Sequence, residues 1–167
     1  RHLYLYDVRE AKLLNPITQG PWVVRGIDRI DEEARQVWFH AGGRNPGEDP
    51  YLLHSYRVNF DGTGLVSLTE GNGQHSIQYS PDRKFLIDTW SRVDAAPKHA
   101  LRRTSDGALV CALEEADITE LLSGGWAPPE VFTAKGRDGA TDIWGIICRP
   151  RHRDPAKKSF RRDSYSM

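Results

Sequence analysis

What this 167-residue chain lacks narrows its chemistry first. It has only two cysteines, Cys111 and Cys148, too few for a disulfide framework. They read as two separate buried thiols, because free cysteine is among the most buried residue types, with a single disulfide as the other reading. It has no excess of either charge: 23 Lys and Arg balance 23 Asp and Glu. Nucleic-acid binders usually carry a basic excess, so that partner is not expected. No run approaches the roughly 18 consecutive apolar residues of a membrane span. Arg1 to Glu10 alternates and carries charge, unlike a secretory signal. Arg1-His2 leads straight into a strand pattern with no initiating Met, so the expectation is an internal start with any targeting segment upstream.

Chemical motifs are equally sparse. No Gly-x-Ser-x-Gly elbow is present to expose a nucleophilic serine at a strained strand-to-helix turn. His2, His40, His54, His75, His99 and His152 show no i, i+2 or i+4 pairing with one another, and there is no Cys-x-x-Cys. Asp61-Gly62-Thr63-Gly64 resembles a phosphate or calcium loop only superficially: no helix follows, and hairpin chemistry explains it. No catalytic, cofactor-binding or metal-ligating residue is therefore expected from this chain, and no cofactor.

What is present is alternation. At 38% hydrophobic and 28% charged residues, a core can form beneath a wet surface. Strands are expected at Leu3–Val8, Leu13–Thr18, Trp22–Ile30, Gln36–Ala41, Tyr51–Asn59, Leu65–Thr69, Ser76–Tyr79, Phe85–Trp90, His99–Thr104 and Ala108–Leu113. Tyr56 and Val58, two apart, share one face. Ser80-Pro81-Asp82-Arg83 is turn chemistry. The turn Asp61-Gly62 recurs at Asp106-Gly107, and Ile17-Thr18-Gln19-Gly20 recurs as Leu68-Thr69-Glu70-Gly71. Four antiparallel strands per about 40–50 residues, with turn types recurring in phase, is the pattern of β-propeller blades rather than of an ordinary sandwich.

After Leu113 the pattern changes. Glu114–Leu122 reads as the one helix, with Ile118, Leu121 and Leu122 on one face, acids at its start, and Ser123-Gly124-Gly125 stopping it. Ala127-Pro128-Pro129 is a stiff connector. Val131–Lys135 and Asp142–Cys148 form a hairpin, and the polar tail carrying KKSFRR reads as solvated. Trp22, Trp38, Trp90, Trp126 and Trp144 read as packing between blades, with lining of a propeller channel as the other reading. Asp88 and Arg92 flank Trp90 and are expected to pair.

The segments GPWVVRGIDRIDEEARQVWFHAGG, DPYLLHSYRVNFDGTGLVSLTEG, QYSPDRKFLIDTWSRVDAAP, ADITELLSGGW and PEVFTAKGRDGATDIWGIICRP stand in this order. With them the chain, from Arg1 to about Lys158, resembles the bacterial branch of the dipeptidyl peptidase IV group, within the prolyl oligopeptidase family of serine peptidases. The resemblance implies an eight-bladed propeller of about 400 residues ahead of an α/β-hydrolase domain of about 250. It implies removal of N-terminal dipeptides, often after proline or alanine, by a serine, aspartate and histidine, with a glutamate pair in the propeller holding the substrate amine. None of these falls here. The serines after Gly139 are Ser159, Ser164 and Ser166, all in the polar tail, and Tyr165 has no family context.

The expected architecture is therefore all-β: about two and a half four-stranded antiparallel blades, one short helix and a terminal hairpin. Its parts are a partial propeller at 1–113 (partial blade 1–20, blades 21–71 and 75–113), a helical connector at 114–129, the first hairpin of a truncated α/β-hydrolase domain at 130–150, and a polar tail at 151–167. The expected role is a non-catalytic fragment whose propeller wall gates access in the parent enzyme. Its partners are then peptide substrate through that enzyme, the remaining blades and the peptidase domain, with self-association in isolation. The parent's compartment, by resemblance, is periplasmic or extracellular. The alternative is a free-standing β-sheet module that binds peptides or proteins.

Overall fold

The computed structural model describes residues 1–149, so the polar tail lies outside the described residues. Two compact units divide the chain between Asp117 and Ile118. The first begins with a hairpin, β1 (Tyr4–Asp7) and β2 (Lys12–Pro16), closed by the Asp7 carboxylate, which accepts from the Arg9 and Glu10 N–H groups. A four-stranded sheet follows: β3 (Val23–Asp31), β4 (Gln36–Gly42), β5 (Leu53–Asn59) and β6 (Val66–Ser67). A second contains β7 (Gln74–Tyr79), β8 (Phe85–Arg92), β9 (Ala95–Arg103) and β10 (Leu109–Glu115). Each sheet is an antiparallel meander in chain order. The architecture is a partial β-propeller of about two and a half blades.

Strand β4 shows how the sequence builds two cores at once. Its side chains alternate across the pleat. Val37, Phe39 and Ala41 enter a core with Ile17, Trp22, Val24, Tyr56 and Val58, against which Leu3 and Leu5 of the first hairpin pack. Trp38, on the opposite face, joins Leu68 and Leu86 in a second core shared with the next blade. Phe39 and Tyr56 are cross-strand partners stacked at 5.5 Å, and Trp22 stacks on Phe39 at 6.1 Å. Such aromatic pairs add to the burial of their rings.

The in-phase turns are blade contacts. Gly62 (φ 84°) sits where a Cβ would lie 3.2 Å from the carbonyl oxygens of Pro16 and Ile17 in the preceding hairpin. Gly107 (φ 74°) sits where a Cβ would lie 2.1 Å from the Ser67 carbonyl oxygen of the preceding sheet. The Asp-Gly repeat therefore serves both the left-handed turn and the close approach of each blade to the one before it.

Three expectations are corrected. Glu114 and Glu115 continue β10 opposite His99 and Lys98, with Lys98 and Glu115 ion-paired at 2.9 Å, so pairing in the ladder overrides their helix propensity. The strand runs past Leu113, and the helix, α1, covers only Thr119–Ser123. Cys111 and Cys148 are free thiols but exposed: Cys111 lies on the edge strand β10, whose residues are all exposed, and Cys148 follows a hairpin with no buried residue. Arg92 pairs with Asp94 at 2.7 Å rather than with Asp88, because the β8–β9 turn folds Asp94 back onto it.

The second unit, described from Ile118 to Arg149, holds α1 and the hairpin of β11 (Glu130–Lys135) and β12 (Asp142–Ile147) in unbroken register. At its turn the Asp138 carboxylate accepts from Thr141 Oγ1 and from the N–H groups of Thr141 and Ala140. These bonds hold its carboxyl down at about 2. Arg149 and Glu130 are ion-paired.

Phe39 is fully buried. Its truncation, Phe39→Ala, is expected to lower stability by about 3–5 kcal/mol in urea melts of the whole chain. Gly107→Ala is expected to cost at least about 1 kcal/mol, since both φ and the Ser67 contact oppose a Cβ. Phe132→Ala, at a ring 41% exposed, should leave the propeller transition where it was.

Candidate functional site between the two complete blades

The chemically dense part of the first unit is a set of polar side chains where the two complete blades meet. Asp88 sits mid-strand in β8 with no exposed surface. Its Oδ1 accepts from His75 Nδ1 at 2.7 Å and its Oδ2 from Arg102 Nε at 3.1 Å, so one carboxylate ties β7, β8 and β9. Arg102 Nη1 also donates to the carbonyl of Gly107 at 3.1 Å and to Glu70 at 3.2 Å. His75 Nε2 donates to the Gly71 carbonyl at 2.8 Å, and the Trp90 ring stacks on His75 at 5.7 Å. A buried charge is tolerable only when it is paired and hydrogen-bonded on every side, as here.

The neighbouring blade contributes His54, whose ring centroid lies 4.5 Å from that of His75. His54 Nε2 donates to Glu48 Oε2 at 2.9 Å, and Nδ1 faces Thr69 Oγ1 at 3.3 Å. Burial is the main force holding the His54 imidazole below its ordinary pKa, helped by the charge of His75 and opposed by Glu48. Hydroxyl, imidazole and carboxylate thus stand in the order of a nucleophile, a base and its orienter. Catalysis does not follow. Thr69 is 1% exposed, and its oxygen already accepts the Ser55 N–H at 3.1 Å. The arrangement is a clamp.

The clamp is part of the repeat. In the first hairpin, His2 Nδ1 faces Thr18 Oγ1 at 3.1 Å, the Leu3 N–H donates to that oxygen at 2.9 Å, and the Ile17 N–H donates to the Leu3 carbonyl at 2.9 Å. In the next blade, His54, Ser55, Leu68 and Thr69 repeat all three contacts, with Leu68 N–H to Ser55 carbonyl at 2.8 Å. The β1–β2 hairpin therefore corresponds to β5–β6, the third and fourth strands of a blade. Each His follows no local chemical motif; its register with a threonine one strand away is what a sequence search could have used.

Of the other residues weighed from sequence, His40 pairs with Asp28 at 2.8 Å, and His99 faces Thr89 Oγ1 at 2.9 Å. His152 lies outside the described residues. Asp61 accepts from the Thr63 N–H and hydroxyl, which holds its carboxyl below the usual range. Trp22 and Trp38 are buried in the two cores, while Trp90, Trp126 and Trp144 are half-buried. Among the described residues, no group of three or more His, Cys, Asp or Glu is placed to hold a metal ion.

Two outcomes are expected. Asp88→Ala strands His75 and Arg102 in the interior and should cost about 3–5 kcal/mol, read by chemical denaturation. His54 is favoured neutral in the fold, so the unfolded chain takes up a proton near pH 6.5 that the folded chain declines, and stability falls as pH drops through that value. Glu48, His75 and Asp88 face the ring, so the measurement is the difference between the parent and a variant that lacks the imidazole. His54→Gln should flatten the loss between about pH 7 and 5, by at most about 1.4 kcal/mol per pH unit. An unchanged slope would contradict the neutral imidazole.

Residues 1–97 match the family described as the dipeptidyl peptidase IV (DPP IV) N-terminal region. A probable dipeptidyl-aminopeptidase B of Neosartorya fischeri is 25% identical over 162 residues, covering 94% of this chain and 17% of its own length. A probable dipeptidyl peptidase 4 of Emericella nidulans is 26% identical, over 85% of this chain and 22% of its own. The chain thus spans about a fifth of the relatives it matches. The crystal structure of Porphyromonas gingivalis dipeptidyl peptidase 4 superposes with a TM-score of 0.68 at 22% identity, over 93% of this chain and 21% of that one. That of a putative dipeptidyl aminopeptidase IV from Bacteroides ovatus gives 0.67 at 23%, over 94% and 24%. No helix among the described residues is long and apolar enough to cross a membrane. With the blades and their repeated clamp in place and more than half of the chain matched, the protein belongs to the dipeptidyl peptidase IV N-terminal region family.

Proposed function

We propose that this chain is a non-catalytic section of a dipeptidyl peptidase IV-like serine exopeptidase, and that in the parent enzyme its blades form part of the wall through which peptide substrate reaches the active site. The observation that carries the reading is the use made of the polar residues. His54, Thr69 and Glu48 stand in a catalytic order, yet the hydroxyl is sealed at 1% exposure and spent on a backbone amide. A section that holds the strands of its blades in register needs this; a hydrolase needs the reverse. The sequence also lacks the Gly-x-Ser-x-Gly nucleophile elbow.

In this reading the chain divides into a partial propeller that runs to Glu115 at the end of β10 rather than stopping at 113, a connector from there to 129, and the opening hairpin of a peptidase domain at 130–150. Further blades and the peptidase domain are its partners. Exposed apolar side chains on the outer strands favour such neighbours: Tyr4, Tyr6, Leu13 and Leu14 on β1 and β2, and Leu109, Val110 and Leu113 on β10. A peptide-binding module standing alone would have to leave the same side chains in water.

Incubation with a proline-containing dipeptidyl reporter is expected to release nothing above a heat-killed control, and release above it would overturn the non-catalytic reading. The isolated chain is also expected to self-associate, seen as a mass in light scattering that rises with concentration. A sharp, concentration-independent monomeric melt would favour the stand-alone module.

A further inference from the structure

Equivalent positions in the repeated blades are covered in one place and open in another. The Phe60 N–H donates to the Arg35 carbonyl as the Thr104 N–H donates to the Lys84 carbonyl, both at 2.9 Å, which sets β4–β5 in register with β8–β9. In the middle sheet Arg29, Trp38, Arg57 and Val66 then form one row of cross-strand partners. That row faces the following blade, where Trp38 packs with Leu86 and Val66 lies against the same core. The matching row in the last sheet is Gln78, Ile87, Leu101 and Cys111. By the pleat it points away from Leu86 and Asp88, to the side where a following blade belongs. Trp38 is 8% exposed, whereas Ile87 in its place is 37% exposed, and Cys111 at the end of the row is exposed too.

The other end of the unit is open in the complementary way. Counted from the clamp histidines His2 and His54, Tyr4 corresponds to Tyr56 and Tyr6 to Val58. Tyr56 and Val58 are 0% and 1% exposed, while Tyr4 and Tyr6 are 52% and 57% exposed. Leu5 of the preceding hairpin packs against the core that holds Tyr56 and Val58. Leu5 stands where Arg57 stands in the middle sheet and Leu101 in the last. The last sheet therefore carries a leucine at the position that covers Tyr56 and Val58 at the first junction. Neither the Gln78–Cys111 row nor the pair of tyrosines carries a formal charge, so nothing repels one from the other.

We infer that the outgoing face of the last blade, centred on Ile87 and Leu101, docks on the open face of the first hairpin, centred on Tyr4 and Tyr6, of a second copy of this chain. The contact continues the packing already present between successive blades. Each copy presents one face of each kind, so the interface is heterologous and copies add in series instead of stopping at a symmetric pair. The inference rests on the reading above of the chain as an open piece of propeller, and it names the contact through which copies associate.

Sedimentation of the full chain over a range of concentrations tests it. The mean mass of the parent is expected to rise past that of a dimer, with contacts in about the micromolar range. Ile87→Lys blocks one face and Tyr6→Lys the other, and each should weaken association at least about tenfold, because a lysine has no partner in the contact. A mixture of the two variants keeps one sound pair of faces, so it is expected to form pairs and nothing larger. Val93→Lys, at an exposed site on the β8–β9 turn outside both faces, should associate as the parent does. Ile87→Thr and Tyr4→Thr are a milder second pair suited to strands, with a loss of the same sign and an unchanged urea melt. The inference alone is overturned if the parent stops at a dimer, if variants on the two faces associate as the parent does, if Val93→Lys weakens association equally, or if the mixture stays monomeric. A parent that is monomeric at every concentration overturns the inference together with the open-propeller reading.

Discussion

A single carboxylate with no exposed surface, that of Asp88, is the constraint on which the blade interface depends. An ion of that kind is tolerated in the interior only if its surroundings are fixed in advance. Here they are fixed by three strands: His75 from β7 on one oxygen, Arg102 from β9 on the other, and β8 itself between them. Arg102 passes the constraint to the Gly107 turn, and that turn sits on the Ser67 carbonyl of the previous blade. Removing the charge therefore disturbs both the sheet and the packing of one sheet on the next.

The same economy shows in the histidine–threonine clamp, which appears in the first hairpin and again in the next blade. In each, one threonine oxygen accepts a backbone N–H from the neighbouring strand and faces an imidazole. Apolar burial gives these small sheets their cohesion, but it is non-directional and leaves register open. The threonine bond is directional. It fixes where the fourth strand of a blade lies against the third, which keeps the cores shared between blades aligned.

Much of the fold was legible because it follows from local rules. Alternation placed the strands, and Asp-Gly at 61–62 and 106–107 placed the hairpins in phase. Tyr56 and Val58 share a core as their spacing required. Legibility failed where a partner distant in sequence decides the outcome. Glu114 and Glu115 read as a helix start, but Lys98 and His99 lay across the ladder. Asp88 reads as a partner for nearby Arg92, while its actual partners come from adjacent strands. Cys111 reads as buried by residue type, but its strand is an edge. The polar set at the blade junction was illegible for the same reason. Its histidines stand at no motif spacing and meet only when two sheets are stacked.

Native-state hydrogen exchange of the whole chain tests most directly whether the Asp88 network and the Gly107 turn join the two complete blades into one cooperative unit. The Ser55 amide is bonded to Thr69 Oγ1 and the Leu68 amide to the Ser55 carbonyl. The account predicts that these two and the ladder amides of β4, β5 and β8 exchange through one shared opening, with a common free energy and denaturant dependence. It also predicts that the β11–β12 amides open separately. Exchange of the two blades through independent openings of unequal free energy would contradict it.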